Sequence, residues 1–170
     1  MVEGSFDAVI LRVGFIYFPD QGAAFRGHAP CIETGRAARR VVYSTPAANQ
    51  FFWIPASIIR RRAALPAPLP GQPGPFSFGT LAVIEAAYEL AGFSDIEVRR
   101  DNAPLRMRSA TECVRFQRES FGAPHQMMAG LSESEREDAW SEVEHELAQF
   151  DTSDGFEGPC ELIVSVGRAS

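Results

Sequence analysis

The chain contains no lysine; all 16 of its basic residues are arginine, a bias that carries no functional reading. Cysteine is scarce. Cys31, Cys113 and Cys160 are odd in number and widely spaced, with no Cys-x-x-Cys pair. That excludes a sequence-evident zinc site or disulfide framework and points to buried free thiols in a reducing compartment. No apolar run approaches the roughly 18 residues of a membrane span. No basic stretch followed by an apolar one marks the N-terminus, so no signal peptide is expected and the chain reads as cytoplasmic. Acidic residues outnumber basic ones, giving a net charge of −6, which argues against nucleic acid or an anionic membrane as the main partner. Histidine is rare, and His125 and His145 stand without a second ligand at metal spacing. They read as surface residues, and no metal site is expected.

With 45% hydrophobic and 22% charged residues, the 170-residue chain has the composition of an ordinary globular protein, and one domain is expected. Phe6 to Leu11 is nearly all apolar, the pattern of a strand covered on both faces. Pro19 and Asp20 then suit the start of a helix running to about Gly27. A second strand is predicted at Arg40 to Ser44. Asn49 to Ala64 reads as a helix with Phe51, Phe52, Ile54, Ile58 and Ile59 on its apolar face and Arg60, Arg61 and Arg62 at its negative end.

Leu65 to Gly79 is rich in proline and glycine and predicts a long loop of the kind that forms lids and binding segments. Its Pro70 to Pro73 pattern matches a polyproline ligand only superficially. Thr80 to Ala91 is a helix capped by Thr80 and stopped by Gly92. Ile96 and Val98 alternate with Asp95, Glu97 and Arg99, a half-exposed edge strand. Ser109 with Glu112, and Ser132 with Glu135, predict capping boxes for two more helices, the second burying Trp140, Val143, Leu147 and Phe150. Cys160 to Val166 is the last strand.

Four segments in this order carry a resemblance: FDAV (Phe6 to Val9), FPD (Phe18 to Asp20), STPAANQFF (Ser44 to Phe52) and AGFSDIEV (Ala91 to Val98). Together they resemble the C-terminal half of a class I S-adenosylmethionine-dependent methyltransferase, of the type 11-like kind. The resemblance implies an α/β fold: a partial Rossmann-like three-layer sandwich with helices on both faces. Its strands would be the family's four, five, seven and six, side by side, with the last in sequence antiparallel. It makes residues 1–170 one truncated domain, with 49–78 a helical and proline-rich insertion on the substrate side.

The family's glycine-rich first turn and ribose-holding carboxylate precede the FDAV strand. No other part of the sequence supplies them. Gly71 to Gly79 is the one glycine-dense stretch, and its prolines remove the N–H donors such a loop needs. S-adenosylmethionine is therefore the implied cofactor, with binding by these residues doubtful. The strand-four edge would be unpaired and apolar, open to self-association.

Where the family has a helix end and a glycine turn, the chain reads HAPCIETGR from His28 to Arg36. A family-like segment MHRALKPGG, read one base earlier, spells these nine residues. A pair of compensating frameshifts is the resulting expectation. It makes His28 and Cys31 accidental and 28–39 the least well-specified segment.

By position in the family, Arg12, Val13, Gly14 and Phe15 are the cofactor-side candidates, with Arg12 suited to a carboxylate. Phe51, Phe52 and Trp53 are the substrate-side candidates. Methyl transfer relies mainly on alignment and leaves little catalytic side-chain signature, so no catalytic residue and no methyl acceptor is read. Two functions follow from the resemblance. One is a small-molecule methyltransferase, inactive as the isolated half. The other is a non-enzymatic remnant or interaction subunit.

Overall fold

The computed structural model describes residues 4–69 and 72–170; Pro70 and Gly71, where the polyproline and glycine-dense readings begin, lie outside the described residues. In chain order the elements are β1 (Phe6–Arg12), α1 (Gln21–His28), β2 (Ile32–Tyr43), α2 (Gln50–Arg62), α3 (Leu81–Leu90), β3 (Phe93–Asn102) and β4 (Leu105–Met107). There follow α4 (Ala110–Ser120), α5 (Gly122–Met127), α6 (Glu133–Leu147), β5 (Asp151–Thr152), β6 (Gly155–Gly158) and β7 (Glu161–Ala169). The chain forms two compact units. One holds the chain through Thr45 together with Leu69–Asn102 and Glu161–Ser170; the other holds Pro46–Pro68 and Ala103–Cys160.

The first unit is built on a four-stranded sheet of order β1-β2-β7-β3. β1 runs parallel to β2, and β7 runs antiparallel to both its neighbours. Helix α1 starts where Asp20 accepts from the Ala23 N–H at 2.7 Å, and α3 starts on Thr80. Gly92, at φ +79°, takes the left-handed turn that ends α3, a conformation that costs glycine little. Both helices bury their apolar residues against one sheet face. There Phe15, Phe25, Ile84, Tyr88 and Phe93 pack on Ala38, Val42 and Ile163. At Gly167 on β7 a Cβ would stand 2.5 Å from the Tyr88 ring, so only glycine lets that aromatic residue lie flat on the strand. The expected second helical layer is not part of this unit.

Two expectations change. Phe6 to Leu11 is not covered on both faces. Among the described residues β1 is an edge strand: Val9 and Leu11 pack on the core, while Ile10 is 73% exposed. Its apolar run is explained by one buried face and one open face. The strand predicted from Arg40 begins instead at Ile32, so part of the segment expected to be poorly specified lies in β2. Cys31, Ile32 and Ala38 are buried, and the Cys31 thiol donates to the Gly27 carbonyl. The irregularity is confined to Glu33–Arg36, an exposed excursion with Gly35 at φ +79°, where the register to β1 jumps between Phe6 and Ala8.

The second unit packs α2, α4, α5 and α6 around Ile58, Ile59, Cys113, Val114, Trp140, Val143 and Leu147. It adds a small sheet of order β4-β6-β5, whose tight hairpin pairs Thr152 with Gly155. Pro55 lies inside α2, where its ring removes the N–H that would reach the Phe51 carbonyl. The buried Gln117 amide donates to that carbonyl at 3.0 Å and repairs the loss. At α6 the predicted capping box is complete, with Ser132 and Glu135 satisfying each other's backbone N–H. At α4 only half of it forms: Ser109 caps the Glu112 N–H, but the Glu112 carboxylate accepts from the Arg108 N–H instead.

Candidate functional site

Each candidate residue is placed within its own unit. At the end of β1, Val13 turns into the left-handed region at φ 54° and spends its N–H on the Val41 carbonyl at 2.7 Å. Gly14 begins a short 3-10 turn ending at Tyr17. The Phe15 carbonyl accepts from Gln21 Nε2, and its ring, 1% exposed, stacks on Phe25 with centroids 4.9 Å apart. Phe15 is therefore a core residue, and the Val13 donor is already used. Arg12 is exposed and makes no ion pair among the described residues. Asp20, the carboxylate next along the chain, is occupied in capping α1.

Of these residues, Arg12 offers an exposed guanidinium, while the Val13 N–H and the Phe15 ring are taken up within the fold. No group of three or more His, Cys, Asp or Glu residues suited to a metal occurs among the described residues.

In the helical unit, Phe51 is buried and Trp53 is 39% exposed. Phe52 meets Phe51 and Phe121 at centroid distances of 6.0 and 5.8 Å. The aromatic candidates are thus a packed cluster with one exposed member. A surface groove of about 530 Å³ runs past Arg106, Arg108, Glu112, Arg115 and Phe116. Its arginines are engaged: Arg106 pairs with Glu157 at 2.9 Å, and Arg108 and Arg115 pair with Glu112 at 2.6 and 3.6 Å. Hydrogen bonds from Arg108 bring the Glu112 pKa down to about 2.

The sheet unit carries a second groove, about 460 Å³, on the face opposite its aromatic core, lined by Ile10, Val41, Glu97, Arg99, Val164 and Val166. Register places these residues in rows. Ile10 lies beside Arg39, then Val166, then Glu97; Val41 lies beside Val164, then Arg99.

Sequence reasoning missed Arg40. Its side chain is 0% exposed, with the guanidinium carbon 3.9 Å from the Phe25 ring centre, 4.6 Å from Tyr88 and 5.1 Å from Phe93. Nη2 donates to His28 Nδ1 at 3.3 Å, while Nε and Nη1 have no hydrogen-bond partner among the described residues. Burial lowers the Arg40 pKa, and burial together with the Arg40 charge lowers that of His28. Nearby, Tyr88 donates to the Ala38 carbonyl, and Ser165 Oγ lies 3.3 Å from both the Arg40 carbonyl and the Tyr88 hydroxyl. Strand alternation held the signal, since Ala38, Arg40 and Val42 share a face. His125 and His145 stay outside both cores, and all three cysteines are free and buried.

No family model and no curated protein matches the chain. Solved structures do. A Bacillus halodurans C-125 protein described as a methyltransferase aligns over 99% of this chain and 72% of its own, with TM-score 0.54 and 13% identity. The YcgJ protein of Bacillus subtilis aligns over 99% and 65%, with TM-score 0.54 and 15% identity. A protein of Anabaena variabilis, described as an antibiotic-biosynthesis methyltransferase, aligns over 96% and 68%, with TM-score 0.54 and 12% identity. The chain therefore has the α/β fold of these structures and spans about two thirds to three quarters of their length. No helix among the described residues is long and apolar enough to cross a membrane.

Proposed function

We propose that these residues are the C-terminal half of a class I methyltransferase domain. It would transfer a methyl group from S-adenosylmethionine to a small molecule when a cofactor-binding half completes it. The observation that carries this reading is the sheet: order β1-β2-β7-β3 with β7 inserted antiparallel between β2 and β3. In the family those strands are four, five, seven and six. The fold likeness to structures described as methyltransferases supports it.

In this reading Arg12, at the crevice end of β1, is the one cofactor-side side chain with a charge to offer. The Phe51–Trp53 cluster belongs to the insertion on the substrate side. Three buried free thiols agree with a reducing, cytoplasmic setting. A non-enzymatic interaction subunit is the second reading, favoured by the Val13 N–H being spent on Val41 and the Phe15 ring being buried in the core.

Two measurements test the proposal. Isothermal titration of residues 1–170 with S-adenosylmethionine should give a dissociation constant of about 1 mM or weaker, near −4 kcal/mol. The nucleotide sequence upstream of Met1 should encode a glycine-rich strand, turn and helix in register, and the longer product should bind at micromolar concentration. Micromolar binding by residues 1–170 alone would show a cofactor site outside the proposed one. An upstream sequence without that motif would leave the interaction subunit as the better reading.

A further inference from the structure

We infer that the outer edge of β1 pairs with the same edge of a second copy of this chain, antiparallel and about a two-fold axis at Ile10. Among the described residues β1 has one neighbour, β2. The direction of its free groups follows from one bond. The Val13 N–H points at β2, to the Val41 carbonyl. Backbone groups alternate sides along a strand, so Leu11 and Val9 also face β2, while Ala8, Ile10 and Arg12 face outward.

The usable edge is short. The start of β1 at Phe6 bounds it on one side and the left-handed Val13 on the other. It carries no proline between those bounds, and the exposed side chain at its centre is Ile10, 73% exposed. Such an edge is a template for another strand.

A second copy meets its requirements. With the axis at Ile10, Ile10 exchanges two backbone hydrogen bonds with its own copy, and Ala8 exchanges two with Arg12 at each end. All outward groups are then in register. Side chains agree as well, because residues directly opposite share a face. The two Ile10 side chains cover each other on the open sheet face, each next to the Arg39 of its own β2. Arg12 lies across from Ala8 and Asp7 from Val13, so no like charges stand opposite one another. The two Arg39 side chains are three strand spacings apart, about 14 Å, where salt screens their repulsion. The contact is isologous and closed, an eight-stranded sheet made from two four-stranded ones.

The inference does not rest on the methyltransferase reading, though a cofactor-binding half would compete for this edge. Sedimentation velocity on residues 1–170 should show mass doubling as concentration rises through about 10–100 µM, as a small interface requires. Ile10→Lys should stay monomeric through that range with an unchanged melting temperature, while Leu90→Lys, at an exposed α3 position, should dimerise like the parent. Register is read by cross-linking with oxidised glutathione, since the native thiols are buried. Ile10→Cys places two thiols on residues about 5.5 Å apart at Cα, within disulfide reach. Ala8→Cys places them four residues out of line. Efficient cross-linking of the first and not the second is expected. A monomer throughout, a dimer that survives Ile10→Lys, a mass rising past two chains, or equal cross-linking of the two cysteine variants would each overturn the inference.

Discussion

Gln117 in the helical unit and Arg40 in the sheet unit are both polar side chains sealed from solvent, at 1% and 0% exposure. Gln117 sits opposite a vacancy that the sequence itself created. Pro55 took away the donor for the Phe51 carbonyl, and the amide replaces it. Arg40 carries five N–H groups into a box of aromatic rings, where two of its nitrogens find no partner among the described residues. The rings give back part of the desolvation cost through cation–π contact, on the order of 2 kcal/mol when desolvated. A buried polar group stabilises a fold when its donors match a local demand and costs free energy when they exceed it. The same contrast shows at the helix starts: both first caps are 3.4 Å long, but α6 has a reciprocal capping box while α3 begins on the Thr80 hydroxyl alone.

The largest test replaces the unmatched charge. Arg40→Met keeps an unbranched apolar stem, shorter than arginine, and removes the orphan donors. It should raise unfolding stability by about 1–4 kcal/mol, read as a higher denaturant midpoint with an unchanged slope. A lower midpoint would mean that the ring contacts outweigh desolvation, and the contrast with Gln117 would vanish. The converse change, Gln117→Met, should cost about 1–3 kcal/mol because it removes the buried amide's hydrogen bond to the Phe51 carbonyl. If it proves neutral, water or a helix adjustment satisfies that carbonyl. At the helix starts, Ser132→Ala should lower stability by about 1 kcal/mol and Thr80→Ala by about half that, in the same thermal scan. Equal losses would remove the distinction between a reciprocal and a single cap.

The smallest effect is one of pH. Burial and Arg40 hold the His28 pKa in the folded chain below its ordinary 6.5. The unfolded chain therefore takes up the proton first as pH falls. The stability that neutral His28 provides is complete above about pH 6.5 and is lost as pH drops from there through the folded value. The melting temperature of His28→Gln should fall less between pH 7 and 5 than that of the parent. Parallel curves would show that His28 is free to protonate in the folded state.

Several elements were legible because their signals are local. Thr80 and Gly92 bracket α3, the Ser132–Glu135 box starts α6, and the stripe of Trp140, Val143 and Leu147 is its buried face. The extent of β2 was not legible. Its first half, with Glu33–Arg36 bulging outward, has no alternation that marks a strand, and it is held by pairing to β1 and β7. The small sheet was missed for the same reason: β4 and β5 have three and two residues and exist only through β6. Among the candidate site residues, order along the chain located the β1 end but not which side chains it would free. Arg12 is exposed there, while Phe15 turned into the core.

What the sequence determined by itself was the order of the longer strands and helices, with their caps and stops. Those depend on residues within one or two turns of each other. What only the tertiary structure decided was facing and occupancy. The β1 run is apolar on both its faces, yet one face is covered and the other open. Arg40 occupies a core position that alternation assigns without regard to charge. The Phe51 carbonyl found its donor 66 residues away. Such outcomes are settled by which distant segments arrive beside a residue, and periodicity along a single chain does not encode that.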